Sequence, residues 1–336
     1  MKIAIACPRG AVAHTGNRIT ARRYAQLLRA LGHRIVRRHG GADLLIALHA
    51  VKSARAVLAF RRAHSRRRIV LVLTGTDLHP RLARSQLARR ALHAADALVV
   101  LEPGALRRLP VSLRRKGHCV RQSVGGALPR HAPLAGRIVQ VGHLRRAKDP
   151  LRVALAIRGL EGVELRHFGA ELERGWASRA RAEMRRNPAY HWIGAVSPAR
   201  ARAELSRAAL FVLPSRVEGS SAALIEALRM GVPVLASDAA GNRGTLGARH
   251  PGLFAVGATR ILRAKLRRTL SDPRRLRRLT AASRRLARHH RPAEERAAWK
   301  RLLASLGHEN KEPPRPPWPR GGSSARAPSR RATGCS

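Results

Sequence analysis

Short apolar runs rich in Ile, Val and Leu alternate along the chain with longer stretches whose apolar residues recur at helical spacing. This rhythm is typical of βα units around parallel sheets, because strands buried on both faces read as continuous apolar runs. In the first half of the chain the pattern predicts strands at 2–6, 44–48, 69–73 and 97–101, and helices near 18–31, 53–64 and 85–94. These elements indicate one Rossmann-like domain.

The same rhythm returns in the second half and predicts a second doubly wound sheet. Its strands are expected at 138–141, 163–167, 190–193, 210–213 and 234–236, and its helices near 150–157, 176–186, 198–206 and 222–230. Between the halves, residues 117–137 show no clear period, which favours a crossing between domains. We therefore predict domains at 1–134 and 135–290, a helix at 291–306 able to pack back on the first domain, and a disordered Pro/Arg/Ser-rich tail at 307–336.

The formal net charge of +49 would, taken alone, indicate a nucleic-acid partner. Arginine, however, is spread with alanine over every predicted helix, which is typical of a composition bias more than of one binding stripe. An aromatic content of 3% also leaves few platforms on which single-stranded bases could stack. We therefore expect no specific nucleic-acid partner.

The cysteines and the apolar runs bear on the compartment. Cys7, Cys119 and Cys335 lie far apart and without metal-ligand spacing, so neither a disulfide framework nor a zinc site is predicted. The apolar start of the chain stops at Pro8, and no run approaches the roughly 18 uncharged apolar residues of a membrane span. The sequence favours a cytoplasmic protein with no transmembrane segment.

Candidate binding residues of the first half follow its predicted strands. Gly16, Asn17 and Arg18 open a helix, where free N–H groups favour an anion, although a simple turn and cap would explain them equally well. Further polar residues follow the second and third strands, at the sheet edge where open α/β folds bind ligands. They are His49 and Lys52, then Thr74, Gly75, Thr76 and Asp77. Asp77 is a candidate to orient a substrate hydroxyl or accept a proton, or else to cap the next helix. No GxGxxG is present, so a dinucleotide-dependent dehydrogenase lacks its usual motif.

Two segments of the second half carry stronger signals. The segment from Gly142 to Lys148 links a strand to a helix, a geometry in which a glycine turn and a lysine can hold a diphosphate. Glu218 and Glu226 flank a predicted helix start near Ser220. A diphosphate would then face the helix N–H groups, with Glu218 on sugar hydroxyls and Glu226 on a ribose. The alternative is that Glu226 is an ordinary solvated helix residue.

These residues resemble a known pattern. The segment Gly142 to Lys148 and the Glu-x7-Glu of Glu218 and Glu226 are similar to the donor site of the GT4 group of GT-B glycosyltransferases. More narrowly, residues 1–260 resemble the selenosugar synthases of selenoneine biosynthesis. The segments that carry this narrower resemblance are GNRITA from residue 16, LIALHA from 45, LTGTDL from 73, GHL from 142 with KDP from 148, and YHWIG from 190.

The resemblance implies two Rossmann-like, doubly wound parallel-sheet domains that face a cleft. It also implies transfer of a sugar from UDP-N-acetylglucosamine or UDP-glucose to selenophosphate, with the UDP-sugar as co-substrate and no cofactor. No carboxylate cluster of the DxD kind is evident in the sequence, so no metal site is predicted. Lys148 and Glu218 would be the catalytic residues, and the first-domain residues named above would receive the acceptor. The implied donor-binding residues are His143, Arg145, Lys148, Gly169, Gly194, Glu218, Gly219, Ser220 and Glu226.

Some positions depart from the resemblance. Most GT4 enzymes carry an arginine in place of His143, although the selenosugar synthases share the histidine. The stretch from Gly219 to Ala222 is less rich in glycine and asparagine than the resemblance implies, and Lys52 stands where an arginine is expected, so the choice of donor sugar is left open. One alternative is a GT4 enzyme with an alcohol, lipid or phosphate acceptor. The other is a basic nucleic-acid-binding protein without catalysis. The oligomeric state is not indicated by the sequence.

Overall fold

The computed structural model describes residues 1–8, 16–74, 78 and 85–308. The first domain is a parallel sheet of six strands in the order β2-β1-β3-β4-β5-β6. Its strands are β1 (Lys2–Ala6), β2 (Arg34–Val36), β3 (Leu44–Leu48), β4 (Arg68–Leu73), β5 (Ala97–Val100) and β6 (Gly117–Cys119). Its helices are α1 (Gly16–Ala30), α2 (Ala54–Ala63), α3 (Gln86–Ala94) and α4 (Gly104–Arg107).

The second domain is also a parallel sheet of six strands, in the order β12-β11-β10-β7-β8-β9. The strands are β7 (Leu134–Val141), β8 (Glu164–Phe168), β9 (Tyr190–Gly194), β10 (Ala208–Leu213), β11 (Val234–Ser237) and β12 (Leu253–Phe254). The helices are α5 (Arg152–Ile157), α6 (Trp176–Arg186), α7 (Pro198–Ser206), α8 (Ala222–Met230), α9 (Ala240–Leu246), α10 (Thr259–Leu270) and α11 (Pro273–Ala287). The prediction of two doubly wound parallel sheets is confirmed.

Both sheets bury apolar side chains on both faces, which explains why their central strands are continuous apolar runs in the sequence. The pattern fails at the edges. It does not predict β2, β6 or β12, which are edge strands of only two or three residues and too short to show a period. Residues 117–119, which the pattern assigned to the crossing, therefore belong to the first sheet.

Strand β7 also starts earlier than predicted, at Leu134 instead of residue 138. Gly136 interrupts the apolar run there, and a Cβ at this position would lie 1.9 Å from the carbonyl oxygen of Gly162. Only glycine fits such an approach, so the break in the pattern marks close packing instead of a loop. The second domain consequently begins one residue before the predicted boundary at 135.

The C-terminal helix α12 (Pro292–His308) packs on the first domain. Trp299 is fully buried and meets the ring of Tyr24 edge-on, with centroids 4.9 Å apart. The buried Glu295 carboxylate accepts from Arg23 Nε at 3.1 Å and from the Ser123 amide at 3.0 Å. The predicted tail was placed from residue 307, but the helix continues to His308, and residues 309–336 lie outside the described part of the chain.

The domains also meet beside the sheet edges. Glu102 follows β5, is 2% exposed, and lies so close to Gly244 of α9 that a Cβ there would be 1.8 Å from Glu102 Oε2. Burial raises the pKa of Glu102, and its pairing with Arg108 opposes that shift. Helix α9 therefore packs against the first domain at Gly244, and at Gly241 it packs against the loop that follows β10. Among the described residues, no helix has both the length and the apolar character that crossing a membrane requires.

Candidate active site

The strand order of the second sheet reverses between β7 and β10. Strands β8 and β9 are added on one side of β7, whereas β11 and β12 are added on the far side of β10. Ligands of doubly wound folds bind at such a switch point, outside the carboxyl ends of the strands. Lys148 follows β7 and Glu218 follows β10, and their side chains meet there with Lys148 Nζ 2.5 Å from Glu218 Oε2. Ser215 Oγ donates to the same oxygen at 3.0 Å. Side-chain exposures of 13% and 10% make this a largely desolvated ion pair.

Backbone hydrogen bonds fix the two loops against each other. The amides of Arg216 and Val217 donate to the carbonyl oxygen of Ala147 at 2.9 and 3.2 Å. Asp149 adopts a left-handed conformation, with φ of 47°, and its Oδ2 lies 2.9 Å from Arg152 Nε and 3.5 Å from Arg216 Nε. Since aspartate tolerates this conformation better than most residues, Asp149 turns the chain and links the loops at once.

The loop after β10 leads directly into the N-terminus of α8. Ser221 caps the helix by accepting from the amide of Leu224 at 3.4 Å. Ser220 Oγ is buried and has no hydrogen-bond partner among the described residues. Because the first amides of a helix carry a partial positive charge and lack intrahelical acceptors, this arrangement favours an anion.

Glycines close the ends of β7, β8 and β9. The amide of Gly169 donates to the carbonyl of Gly194 at 2.8 Å, and a Cβ on Gly169 would lie 2.1 Å from the carbonyl oxygen of Gly142. His143 Nδ1 accepts from the amide of Ala170 at 3.2 Å, so a neutral ring carries its proton on Nε2. Arg145 Nε is buried and, within the described ranges, has no hydrogen-bond partner.

The buried His167 of β8 contacts the backbone at the carboxyl end of β7. His167 lies within hydrogen-bond distance of the Gly142 carbonyl, at 2.9 Å, and of the Tyr190 hydroxyl, at 3.1 Å. Burial lowers the pKa of His167 to about 4, so the ring is neutral at physiological pH. A neutral ring with its proton on Nε2 donates to Gly142 and accepts from Tyr190, which satisfies both contacts.

Glu226 lies two turns into α8 and is paired. Arg202 Nε of α7 is 2.8 Å from Glu226 Oε1, and the glutamate side chain is 14% exposed. Burial raises the pKa of Glu226, and Arg202 opposes that shift by stabilising the carboxylate. Glu226 is therefore not a solvated helix residue, and its contact with a ribose stays a prediction.

The described residues among those predicted for the acceptor lie along the carboxyl edge of the first sheet. Gly16, Asn17 and Arg18 start α1, and Arg18 is near enough to Cys7 to oppose the rise that burial causes in the pKa of its thiol. His49 has φ of 72°, and its Nδ1 accepts from the amide of Lys52 at 3.4 Å. A non-glycine residue in this conformation is strained and is characteristic of ligand-binding turns.

The remaining acceptor candidates are only partly described. Lys52 is exposed and Thr74 is half-buried at the end of β4. Gly75, Thr76 and Asp77 lie outside the described residues. No group of three or more His, Cys, Asp or Glu in the described ranges is arranged to hold a metal ion, and a metal-free reaction stays a prediction.

Comparison with known proteins places the second domain in a family and relates the fold to solved structures. Residues 135–286 match the model of the family described as glycosyl transferases group 1. The solved structure of sucrose-phosphate synthase from Thermosynechococcus elongatus is 17% identical, with 92% of this chain and 100% of that chain covered and a TM-score of 0.73. Anabaena Alr3699/HepE in complex with UDP and glucose is 15% identical, with 91% and 100% covered and a TM-score of 0.73. A comparison with curated proteins finds no match.

Residues 135–286 form a group 1 glycosyltransferase domain. The likeness to the solved structures establishes the GT-B fold of the chain, and the matched family region contains the switch point with Lys148, Glu218 and Glu226.

The structure brings Lys148 and Glu218 together at the carboxyl edge of the second sheet. Two residues that the sequence did not single out contact the loops at this edge. Gly241 opens α9, and a Cβ there would lie 2.3 Å from the carbonyl oxygens of both Glu218 and Gly219. Nothing in the local sequence predicts that this position must be glycine, because the carbonyl oxygens that exclude a side chain belong to a loop about 22 residues earlier. His167 was likewise counted as a strand residue, and only the packing of β8 on β7 shows its contact with Gly142.

Proposed function

We propose that the glycosyltransferase uses a UDP-sugar, UDP-N-acetylglucosamine or UDP-glucose, as its donor. The observation that supports this is the Lys148 to Glu218 ion pair at the switch point, next to the N-terminus of α8. The ammonium group has three donors, so Lys148 can keep Glu218 and still bind a diphosphate oxygen. Ser220 Oγ and Arg145 Nε, both buried and unpartnered within the described residues, add hydrogen-bond donors for the same anion.

The other residues divide the rest of the donor. Glu218 accepts from sugar hydroxyls, and Glu226, held by Arg202, accepts from the ribose. The glycines after β7, β8 and β9 let the nucleotide approach the backbone closely. In the transition state negative charge builds up on the departing diphosphate, so the charge of Lys148 and the dipole of α8 stabilise it more strongly than they stabilise the bound donor.

The proposed acceptor is selenophosphate, and the product is a 1-selenosugar. Selenium forms a bond to the anomeric carbon as the bond from that carbon to the UDP oxygen breaks, and the electron pair leaves with UDP. Water then cleaves the selenium to phosphorus bond and releases phosphate. Because selenophosphate is already an anionic nucleophile, it needs cationic recognition more than a general base. Arg18, the amides that open α1, and Lys52 supply cationic and donor groups along the first sheet edge.

The test follows UDP release and product mass together. Each of the two UDP-sugars is incubated with enzyme in the presence and absence of freshly prepared selenophosphate, and the products are identified by mass spectrometry. We expect a selenosugar mass that requires both substrates and disappears in Lys148→Ala. Arg146→Ala, an exposed neighbour on the same turn, is the matched control and should retain turnover.

Two outcomes separate the parts of the proposal. If UDP binds but selenophosphate gives no product, the donor assignment stands and the acceptor is an alcohol, lipid or phosphate, to be found by offering those classes in turn. Failure of UDP and of both UDP-sugars to bind the wild-type enzyme in calorimetry would overturn the donor assignment itself.

A further inference from the structure

A second cleft lies at the other end of α8, away from the donor edge. Its volume is about 490 Å³, and it opens between the connection from the first domain, the C-terminal end of α8 and helix α11. Because α8 has nine residues, this cleft lies roughly 13 Å along the helix from Ser221. The side chains that matter most in its lining are Arg130, His131, Ser206, Arg229 and Arg284.

Arginines converge on this cleft. Arg130 belongs to the connection between the domains, Arg229 to α8 and Arg284 to α11. Arg291, in the second connection between the domains, is near enough to act electrostatically on Arg229, as Arg130 does. Burial first, and then these two neighbouring cations, lower the pKa of Arg229. Among the described residues, none of these four arginines forms an ion pair with a carboxylate.

The cluster is built around a donor that lacks an acceptor. Arg229 Nε is buried and has no hydrogen-bond partner among the described residues. Arg284 lies over Gly231, where a Cβ would be 3.3 Å from the arginine Nε, so the glycine makes room for this side chain. Opposite them His131 Nδ1 lies 2.6 Å from Ser206 Oγ and fixes the position of the connection. Like charges gathered without a carboxylate repel one another, and an anion relieves that cost.

We propose that this cleft binds a small oligophosphate anion, separately from the donor site. Guanidinium groups match phosphate oxygens with paired N–H donors, and several of them together favour an anion with several charges. The volume suits a compact anion, whereas a nucleic-acid duplex is recognised over an extended surface. An anion bound here joins the connection that carries Arg130 to helices α8 and α11 of the second domain, so it ties the position of that connection to the concentration of the anion.

The experiment is calorimetric titration of inorganic pyrophosphate into the full chain at about 0.15 M salt, where exposed charges are screened beyond roughly 8 Å. All proteins carry Lys148→Ala, so that binding at the donor site is weakened. We expect one binding site per chain, and the double change Arg130→Gln with Arg229→Gln should weaken it about 10-fold or more. The matched control is Arg277→Gln with Arg278→Gln, which removes the same charge from the exposed face of α11.

Equal weakening in the two double variants would show binding by overall charge alone and would overturn the proposal. The absence of pyrophosphate binding in the Lys148→Ala protein would overturn it too. If the half-buried Arg229 position does not tolerate glutamine, the single change Arg130→Gln in the exposed connection tests the same expectation. Vesicles containing phosphatidic acid form the last arm: binding to vesicles but not to pyrophosphate, lost with Arg130 and Arg229, assigns the cleft to a lipid headgroup and overturns the free anion.

Discussion

The carboxyl edges of the two sheets are built in different ways. At the second sheet, the loops after β7 and β10 are fixed to each other by an ion pair, by two amides on one carbonyl and by the side chain of Asp149. At the first sheet, Arg18 and Lys52 are exposed, and the residues that follow β4 are only partly described. A preformed site loses little conformational entropy when it binds a ligand, whereas exposed cationic side chains lose conformational entropy on binding. This difference supports the proposal that the UDP-sugar binds at the second domain.

The largest expected effect comes from the ion pair itself. Lys148→Ala removes the positive charge that, in the proposed function, faces the departing diphosphate, and it leaves Glu218 buried without its ion-pair partner. We expect kcat to fall by roughly 100- to 1000-fold, comparable with the loss of a preorganised donor in other enzymes. Steady-state UDP release measures the effect. A loss of less than about 10-fold, with Arg146→Ala unchanged, would contradict a central role for this lysine.

The next effect is on stability and follows from His167. The ring stays neutral in the fold down to a pKa of about 4, while the unfolded chain takes up a proton near 6.5. Between these values the unfolded state binds more protons, so stability that is present above pH 6.5 is lost as the pH falls towards 4. The loss amounts to roughly 3 kcal/mol for this residue.

His167→Gln separates this contribution from the rest, since glutamine can still donate to the Gly142 carbonyl but does not titrate. Urea unfolding of both proteins at pH 7 and pH 4.5 is the measurement. We expect the wild-type protein to lose more stability than the variant between the two pH values, although the buried His250 and His290, whose pKa values burial also lowers to about 4, still contribute in both. Equal losses would show that His167 is not buried as a neutral ring.

A third prediction tests whether Gly241 of α9, which has no side chain, positions the loop that carries Glu218 and Gly219. Gly241→Ala places a methyl group 2.3 Å from the carbonyl oxygens of Glu218 and Gly219, so either the loop or α9 must move. We expect a destabilisation of about 1–3 kcal/mol and a weaker UDP affinity. Gly40→Ala is the control, because a Cβ there meets nothing within 4 Å. Unchanged UDP affinity in Gly241→Ala would show that α9 does not position the loop.

Gly241 and His167 also show where the sequence stops being informative. The central strands could be predicted because each buries a continuous apolar run, and Lys148, Glu218 and Glu226 because their charges stand beside glycines at strand ends. The edge strands β2, β6 and β12 are too short for a pattern, and the constraint on Gly241 comes from a carbonyl in a distant loop. Features imposed by tertiary contact leave little mark on the local sequence, whereas features imposed by burial or charge do.

A smaller effect is expected at the first sheet edge. Lys52→Ala removes an exposed charge that, in the proposed function, meets an anionic acceptor. We expect the KM for selenophosphate to rise about 10-fold at low salt and less at high salt, because exposed charges are screened. Calorimetry should find the Kd for UDP unchanged. A change in the UDP affinity instead would break the assignment of donor and acceptor to different domains.

The smallest predicted effect distinguishes an orienting residue from one that touches the donor. Arg202 contacts Glu226, which lies at the carboxyl edge of the second sheet, so Arg202→Ala should weaken UDP binding by roughly 5-fold. The loss should be larger at acidic pH, because burial then raises the pKa of Glu226 without opposition. If Glu226 binds the ribose, the loss should shrink when the titrant is 2′-deoxy-UDP, since the variant and the missing hydroxyl remove the same interaction. The exposed Arg200→Ala on the same helix is the control. Losses that simply add would show that Arg202 acts on UDP by a route other than Glu226 and the ribose.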